Sequence, residues 1–201
     1  ITILNYGLGN LGSMLNMFKR IGVSARIGRS IDEIENSEKL ILPGVGAFDA
    51  GMNHINAAPD LREALEKKVL SEKVPILGVC LGMQLLTRGS EEGKLPGLGW
   101  IPATTKHFPK IDQIKVPHMG WNIANINTSS ELTQNIDEKQ RYYFVHLYYV
   151  DVDEKKYSLM RTTHGIEFDS AIGYENIYGV QFHPEKSHRF GMQILKNFAE
   201  L

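Results

Sequence analysis

The feature that most constrains the fold is a short apolar run, Val74-Pro-Ile-Leu77. It leads without a linker into Gly78-Val-Cys-Leu-Gly82 and then into helical residues 83–86. A buried strand that turns at once into a helix leaves its turning residue crowded on both sides, so small residues are needed two positions before and after it. Gly78 and Gly82 stand there. This is the pattern of a nucleophile elbow, with Cys80 at the apex in the place of serine. Held clear of the sheet at the amino end of a helix, such a sulfur is favoured as thiolate by the helix dipole and by free N–H groups. The competing reading of a lone cysteine is a small buried hydrophobe, and Cys80 is the single cysteine of the 201 residues.

An elbow of this kind sits in a parallel sheet, and the first half of the chain alternates accordingly. Residues 1–5 read as a strand, followed by the glycine turn Gly7-Leu-Gly-Asn10. Leu11, Met14, Leu15, Phe18 and Ile21 then recur at helical spacing until Gly22 ends the run. Residues 23–27 and 39–42 read as the next two strands, and 61–70 as an amphipathic helix with Leu61, Leu65 and Val69 on one face. The alternation predicts an α/β fold: a mostly parallel mixed sheet flanked by helices on both faces, with a flavodoxin-like core. The second half changes character. Residues 100–126 lack periodicity and predict antiparallel strands and loops; 142–145 and 180–182 predict strands rich in aromatic and β-branched residues. A last helix is expected from about His188, capped by Ser187, with Phe190, Ile194, Leu195 and Phe198 facing inward. With no repeat, low-complexity tract or linker, one domain spanning 1–201 is expected.

A formal net charge of -1 argues against nucleic acid or a membrane surface as partner. No apolar stretch approaches the roughly 20 residues of a spanning helix. A chain that can form no internal disulfide is expected in the cytoplasm. Seven scattered histidines and one cysteine make no ligand cluster, so no metal and no cofactor are expected.

The partner group for Cys80 is Gln181-Phe-His-Pro-Glu185, just past a predicted strand, where parallel sheets deliver their active-site loops. A thiol needs a base to take its proton and return it to a leaving group, and His183 suits that task. The ring needs a third group to fix its tautomer, and the carboxylate of Glu185 two residues on can reach it. In Pro43-Gly-Val-Gly46, glycines on both sides of Val45 let backbone N–H groups turn toward a bound carbonyl; with the N–H of Leu81 they form a candidate oxyanion hole. Gln84, four residues past Cys80, shares its helix face and can contact a substrate above the elbow. One motif points elsewhere. Gly7-Leu-Gly-Asn-Leu-Gly12 matches the dinucleotide fingerprint G-x-G-x-x-G, with Asp32-Glu33 about 20 residues on. The fingerprint wants its acid at the end of the second strand, however, and Asp32 follows Arg29-Ser30 at the start of a helical stretch. A non-catalytic dinucleotide-binding or scaffold module is therefore the weaker reading.

Pro43-Gly-Val-Gly46, Gly78-Val-Cys-Leu-Gly-Met-Gln84 and Gln181-Phe-His-Pro-Glu-Lys-Ser187 together resemble the class I (triad) glutamine amidotransferases. Pro117-His-Met-Gly-Trp-Asn122 and Asn5-Tyr-Gly-Leu-Gly-Asn10 narrow the likeness to the glutaminase subunits of imidazole glycerol phosphate synthase. The resemblance implies that Cys80 attacks the glutamine side-chain amide, with His183 as acid/base and Glu185 as its orienter. It implies backbone oxyanion donors at Val45 and Leu81, and glutamine held by Gly46, Gln84 and Glu92, the last pairing the α-ammonium. It further implies docking on a (β/α)8-barrel cyclase subunit through Asn10, Trp121 and Lys186, with ammonia passed into the barrel for histidine biosynthesis. The chain departs from the pattern at Leu147, where the family has Ser or Thr, and residues 100–114 have no clear counterpart. Near relatives of such subunits supply ammonia to synthetases that aminate nucleotide-linked sugars for surface polysaccharides, and the same residues would serve that role.

Overall fold

The first half of the chain, in the computed structural model, runs β1 (Thr2–Leu4), α1 (Leu11–Arg20), β2 (Arg26–Gly28), α2 (Ile31–Glu35), β3 (Leu40–Gly44), α3 (Phe48–Asn56), α4 (Pro59–Glu66), β4 (Ile76–Cys80) and α5 (Leu81–Leu85). The second half adds β5 (Ala103–His107), β6 (His118–Ile123), β7 (Asn125–Ile126), β8 (Arg141–His146), β9 (Tyr148–Val152), β10 (Ser158–His164), β11 (Ile166–Tyr174), β12 (Ile177–Val180) and α6 (His188–Glu200). The structure describes residues 1–111, 114–137 and 140–201; Asp112 and Gln113, within the unmatched 100–114 segment, lie outside them.

The main sheet is ordered β2-β1-β3-β4-β12-β11-β10-β7, with β9 on β11 and β5 on β9. The pairs from β2 to β12 are parallel and the rest antiparallel. β6 and β8 form a separate antiparallel pair. The expected mixed, mostly parallel core with a changed second half is what forms. Period-2 alternation sorts the core onto two faces. Leu40 and Leu42 of β3 join one cluster with α2, α3, α4 and α5, through Ile34, Phe48, Met52, Leu65 and Leu85. Ile41 points the other way, into a cluster with Phe18 of α1 and Ile194 and Phe198 of α6. Burying each such side chain stabilises the fold by roughly 1.5–3 kcal/mol.

Several boundaries differ from expectation for local reasons. β4 starts at Ile76 rather than Val74, because Pro75 has no N–H for the ladder; its carbonyl still accepts from Leu40 N–H at 2.9 Å. The strand then continues to Cys80, which pairs with Gly44. β2 begins at Arg26, and β12 ends at Val180, so Gln181 and Phe182 lie beyond the strand. α3 was not anticipated. Ser187 precedes α6 without capping it through its side chain; its hydroxyl donates to His183 O at 2.6 Å and accepts from Tyr143 N–H at 2.9 Å. Phe190 is half-buried rather than core. The acid of the dinucleotide reading stands in the first turn of α2, where Glu33 and Ser30 close a capping box, and not at the end of β2.

Candidate active site

The elbow is enforced by contact with backbone. A Cβ on Gly82 would collide with the carbonyl oxygen of Leu42 in β3, and one on Gly78 would meet Gly82 C and O at 2.7 Å. α5 therefore rides directly on the sheet, and Cys80 makes the turn with φ 54° and ψ -109°. An L-residue held in such a conformation costs about 1–3 kcal/mol, which the surrounding packing must offset. The adjoining Pro43–Gly46 turn is held from below: the buried Tyr6 hydroxyl donates to Pro43 O at 2.6 Å. Tyr6 had no role assigned from sequence, although it sits inside the quoted Asn5 to Asn10 motif.

These turns open onto a cavity of about 370 Å³ lined by Val45, Gly46, Cys80, Leu81, Gln84, Glu92, His183 and Lys186 among others. Eight of the eleven predicted site residues thus meet in one pocket. Glu185 stands behind His183, and Asn10 and Trp121 lie elsewhere on the surface. His183 Nδ1 and Glu185 Oε1 are 2.8 Å apart, with both side chains almost fully buried. A carboxylate oxygen can only accept, so Nδ1 carries the hydrogen and Nε2 remains for proton exchange with Cys80. Among the described residues, no hydrogen bond of ordinary geometry joins Nε2 to the protein. Burial alone would lower the His183 pKa, but the neighbouring Cys80 and Glu185 outweigh it and push it up to about 10. The raised value favours a protonated ring beside the Cys80 sulfur.

Leu81 is the first residue of α5, so its N–H has no partner within the helix. Val45 is 44% exposed at the cavity edge, and its N–H makes no hydrogen bond among the described residues. The next residue, Gly46, takes φ +112°, a conformation that strongly favours glycine. Glu92 Oε2 accepts from Phe48 N–H at 2.9 Å, pinning the start of α3. Its other oxygen has no partner among the described residues and is the candidate contact for an ammonium group. Gln84 is buried and tied to protein: its Nε2 donates to Tyr148 O at 3.1 Å and to Gln181 Oε1 at 3.0 Å. Leu147 lines the same cavity with an exposed side chain, so only its backbone can hydrogen-bond a ligand.

Asn10 is exposed and caps α1, its Oδ1 accepting from Ser13 N–H at 3.3 Å. Trp121, 43% exposed, stacks on His188 at 5.5 Å. Lys186 reaches over the Tyr143 ring at 5.7 Å and also lines the cavity, so the predicted interface touches the pocket wall. Sequence reasoning missed two neighbours of Trp121. Met119 and Ile123 are also exposed, and the strict alternation Met119, Trp121, Ile123 along β6 was the signal that could have found them. Among the described residues no group of acidic, histidine or cysteine side chains could hold a metal ion, and no helix is long and apolar enough to cross a membrane.

Comparison with known proteins identifies the family. Residues 2–201 match the family "Glutamine amidotransferase class-I". The chain is 51% identical over 200 residues to imidazole glycerol phosphate synthase subunit HisH 2 of Methanococcus maripaludis, covering 100% of this chain and 98% of that one. It is 46% identical over 204 residues to the HisH subunit of Bdellovibrio bacteriovorus, covering 100% of both. A crystal structure of a glutamine amidotransferase superposes with a TM-score of 0.77 at 16% identity, over 100% of this chain and 97% of that one; it shares the fold. A match running nearly end to end, with close relatives of the same length, leaves one conclusion: the chain belongs to the class-I glutamine amidotransferase family.

Proposed function

We propose that the chain is the glutamine-hydrolysing subunit of an imidazole glycerol phosphate synthase, working through Cys80, His183 and Glu185. The observation that carries this is the meeting of an elbow thiol with a carboxylate-paired histidine in one pocket, in a chain 51% identical to a subunit of that synthase. Cys80 Sγ adds to the side-chain amide carbon of glutamine. The negative oxygen that forms is met by the N–H groups of Val45 and Leu81. His183 Nε2 gives its proton to the amide nitrogen, the C–N bond breaks and ammonia leaves, so that a γ-glutamyl thioester remains. Water then adds to the thioester carbon, giving a proton to His183. The C–S bond breaks, and glutamate leaves with the thiolate restored. Glu185 keeps the ring in one tautomer and balances its charge throughout. Gly46, Gln84 and Glu92 hold the substrate, Glu92 through its unpartnered oxygen.

The ammonia is consumed by a second subunit, a (β/α)8-barrel cyclase docked beside the pocket. Its support is the exposed apolar row of Met119, Trp121 and Ile123 on β6 and Lys186 at the cavity wall. An exposed apolar row of this kind marks a protein-binding face. The working compartment is the cytoplasm. The test is ammonia release from glutamine by the purified chain with and without that barrel subunit, alongside copurification from its source cells. Partner-stimulated release and recovery of the barrel support the reading. Recovery of a sugar-amidating synthetase instead would keep the glutaminase and replace its partner.

A further inference from the structure

Gln181 is fully buried, and its Nε2 lies 3.8 Å from Cys80 Sγ, yet the reaction above gives it no task. Its orientation is fixed from a distance by groups whose roles can be deduced in order. The carbonyl of Tyr148 can only accept, so Gln84 must present Nε2 to it at 3.1 Å. The second hydrogen of that NH2 goes to Gln181 at 3.0 Å, which forces Gln181 to present Oε1. Gln181 Nε2 is then the end that faces sulfur.

The same carbonyl anchors a second arm. His146 Nδ1 donates to Tyr148 O at 2.7 Å, so in the neutral ring Nε2 accepts, and it does so from His118 Nδ1–H at 2.8 Å. His118 Nε2 in turn accepts from Asn122 Nδ2–H at 3.1 Å. Both rings stay neutral: burial, then the nearby His164, pushes His118 down to about 4, and burial holds His146 down at about 3. Every donor and acceptor from Asn122, next to Trp121 on β6, to the sulfur of Cys80 is therefore assigned without choice. Among the described residues, the titratable groups around that sulfur are His183 and Tyr6, with His146 beyond and Glu92, Tyr148 and Lys186 on the cavity wall.

We propose that Gln181 is a positioning residue for the nucleophile, its amide N–H holding the Cys80 sulfur as thiolate and the Tyr148 carbonyl, through Gln84, locking the amide in that sense. A donor to an anionic sulfur stabilises the charged form and fixes the direction from which it attacks. The inference rests on Cys80 being the nucleophile, but its test needs no turnover.

The full-length chain is alkylated with iodoacetamide across a pH series, and the rate at Cys80 is followed by mass spectrometry. Gln181→Met keeps the length of the side chain and removes the donor; Gln181→Glu places a carboxylate by the sulfur. The pH midpoint of alkylation should rise by about one unit in the first, the order of losing one hydrogen bond to a charged group, and further in the second. A purely structural Gln181 would change the melting temperature and leave the midpoint alone. Where the buried substitutions prevent folding, Gln84→Met frees Gln181 to flip and should raise the midpoint in the same direction. A wild-type midpoint in the folded variants overturns the proposal, whether or not the chain proves to be a glutaminase.

Discussion

In the parallel half of the sheet, β3 and β4 place the Val45 turn and Cys80 by backbone packing: Gly82 lies against the Leu42 carbonyl, and Gly78 against Gly82. In the antiparallel part, β6, β8 and β9 place their groups through side-chain hydrogen bonds among His118, His146, Tyr148 and Gln84. The first arrangement cannot accept one added methyl group. The second has looser steric demands but depends on the donor or acceptor character of each member. A site that must hold one atom still uses both, a stiff floor and a wall joined by polar links.

The largest effect that tests this contrast is chemical. Cys80→Ala should leave the fold intact and lower glutamine hydrolysis by about 10³-fold or more, read as ammonia release. Near-normal activity would end the assignment. Glu185→Gln keeps the shape of the group behind His183 but favours the wrong tautomer, and should cost about 10²–10⁴-fold in kcat with little change in KM. Gly82→Ala strikes the packed floor. Overpacking against backbone should destabilise the chain by about 3 kcal/mol, seen as a lowered denaturant midpoint, whereas Asn122→Ala in the polar wall should alter stability far less. If both substitutions proved equally mild, the contrast between the two regions would be wrong.

Smaller effects sharpen it. Trp121→Ala should weaken partner binding by roughly tenfold or more, with the melting temperature of the free chain nearly unchanged. Titration calorimetry against the barrel subunit checks this. The His183 proton gives a pH signature. Its pKa is raised from the unfolded 6.5 to about 10, so the folded chain holds the proton more tightly. The stability it contributes is whole below about pH 6.5 and is lost as pH rises through about 10. The melting temperature should fall across that window, and Cys80→Ala, which removes one cause of the raised pKa, should flatten the fall. An identical slope in both proteins would show that Cys80 does not hold the imidazolium.

The same contrast explains what the sequence made legible. The elbow could be read because a steric demand leaves a fixed-spacing trace, Gly78 and Gly82 around Cys80. His183 and Glu185 were legible because two residues of chain bring them within reach. α3 was not, because Gly51 and its asparagines lower helix propensity and its first N–H is held by Glu92, a residue 44 positions away. Ser187 looked like a helix cap because serine before an apolar periodic run usually is one; its hydroxyl instead bridges His183 and Tyr143. Tyr6 and Gln181 act over long sequence separations, 37 and 101 residues to their partners, and no local spacing could register them.

The central claim, that glutamine is opened by the sulfur of Cys80, is tested most directly with a glutamine-analogue electrophile. The chain is inactivated with a diazoketone analogue of glutamine, the bound label is counted, and its position is mapped by peptide mass spectrometry. The account predicts one equivalent of label, all of it on Cys80, with glutamine protecting against it and ammonia release lost in proportion. Label on any other residue, or ammonia release that survives full labelling of Cys80, would contradict it.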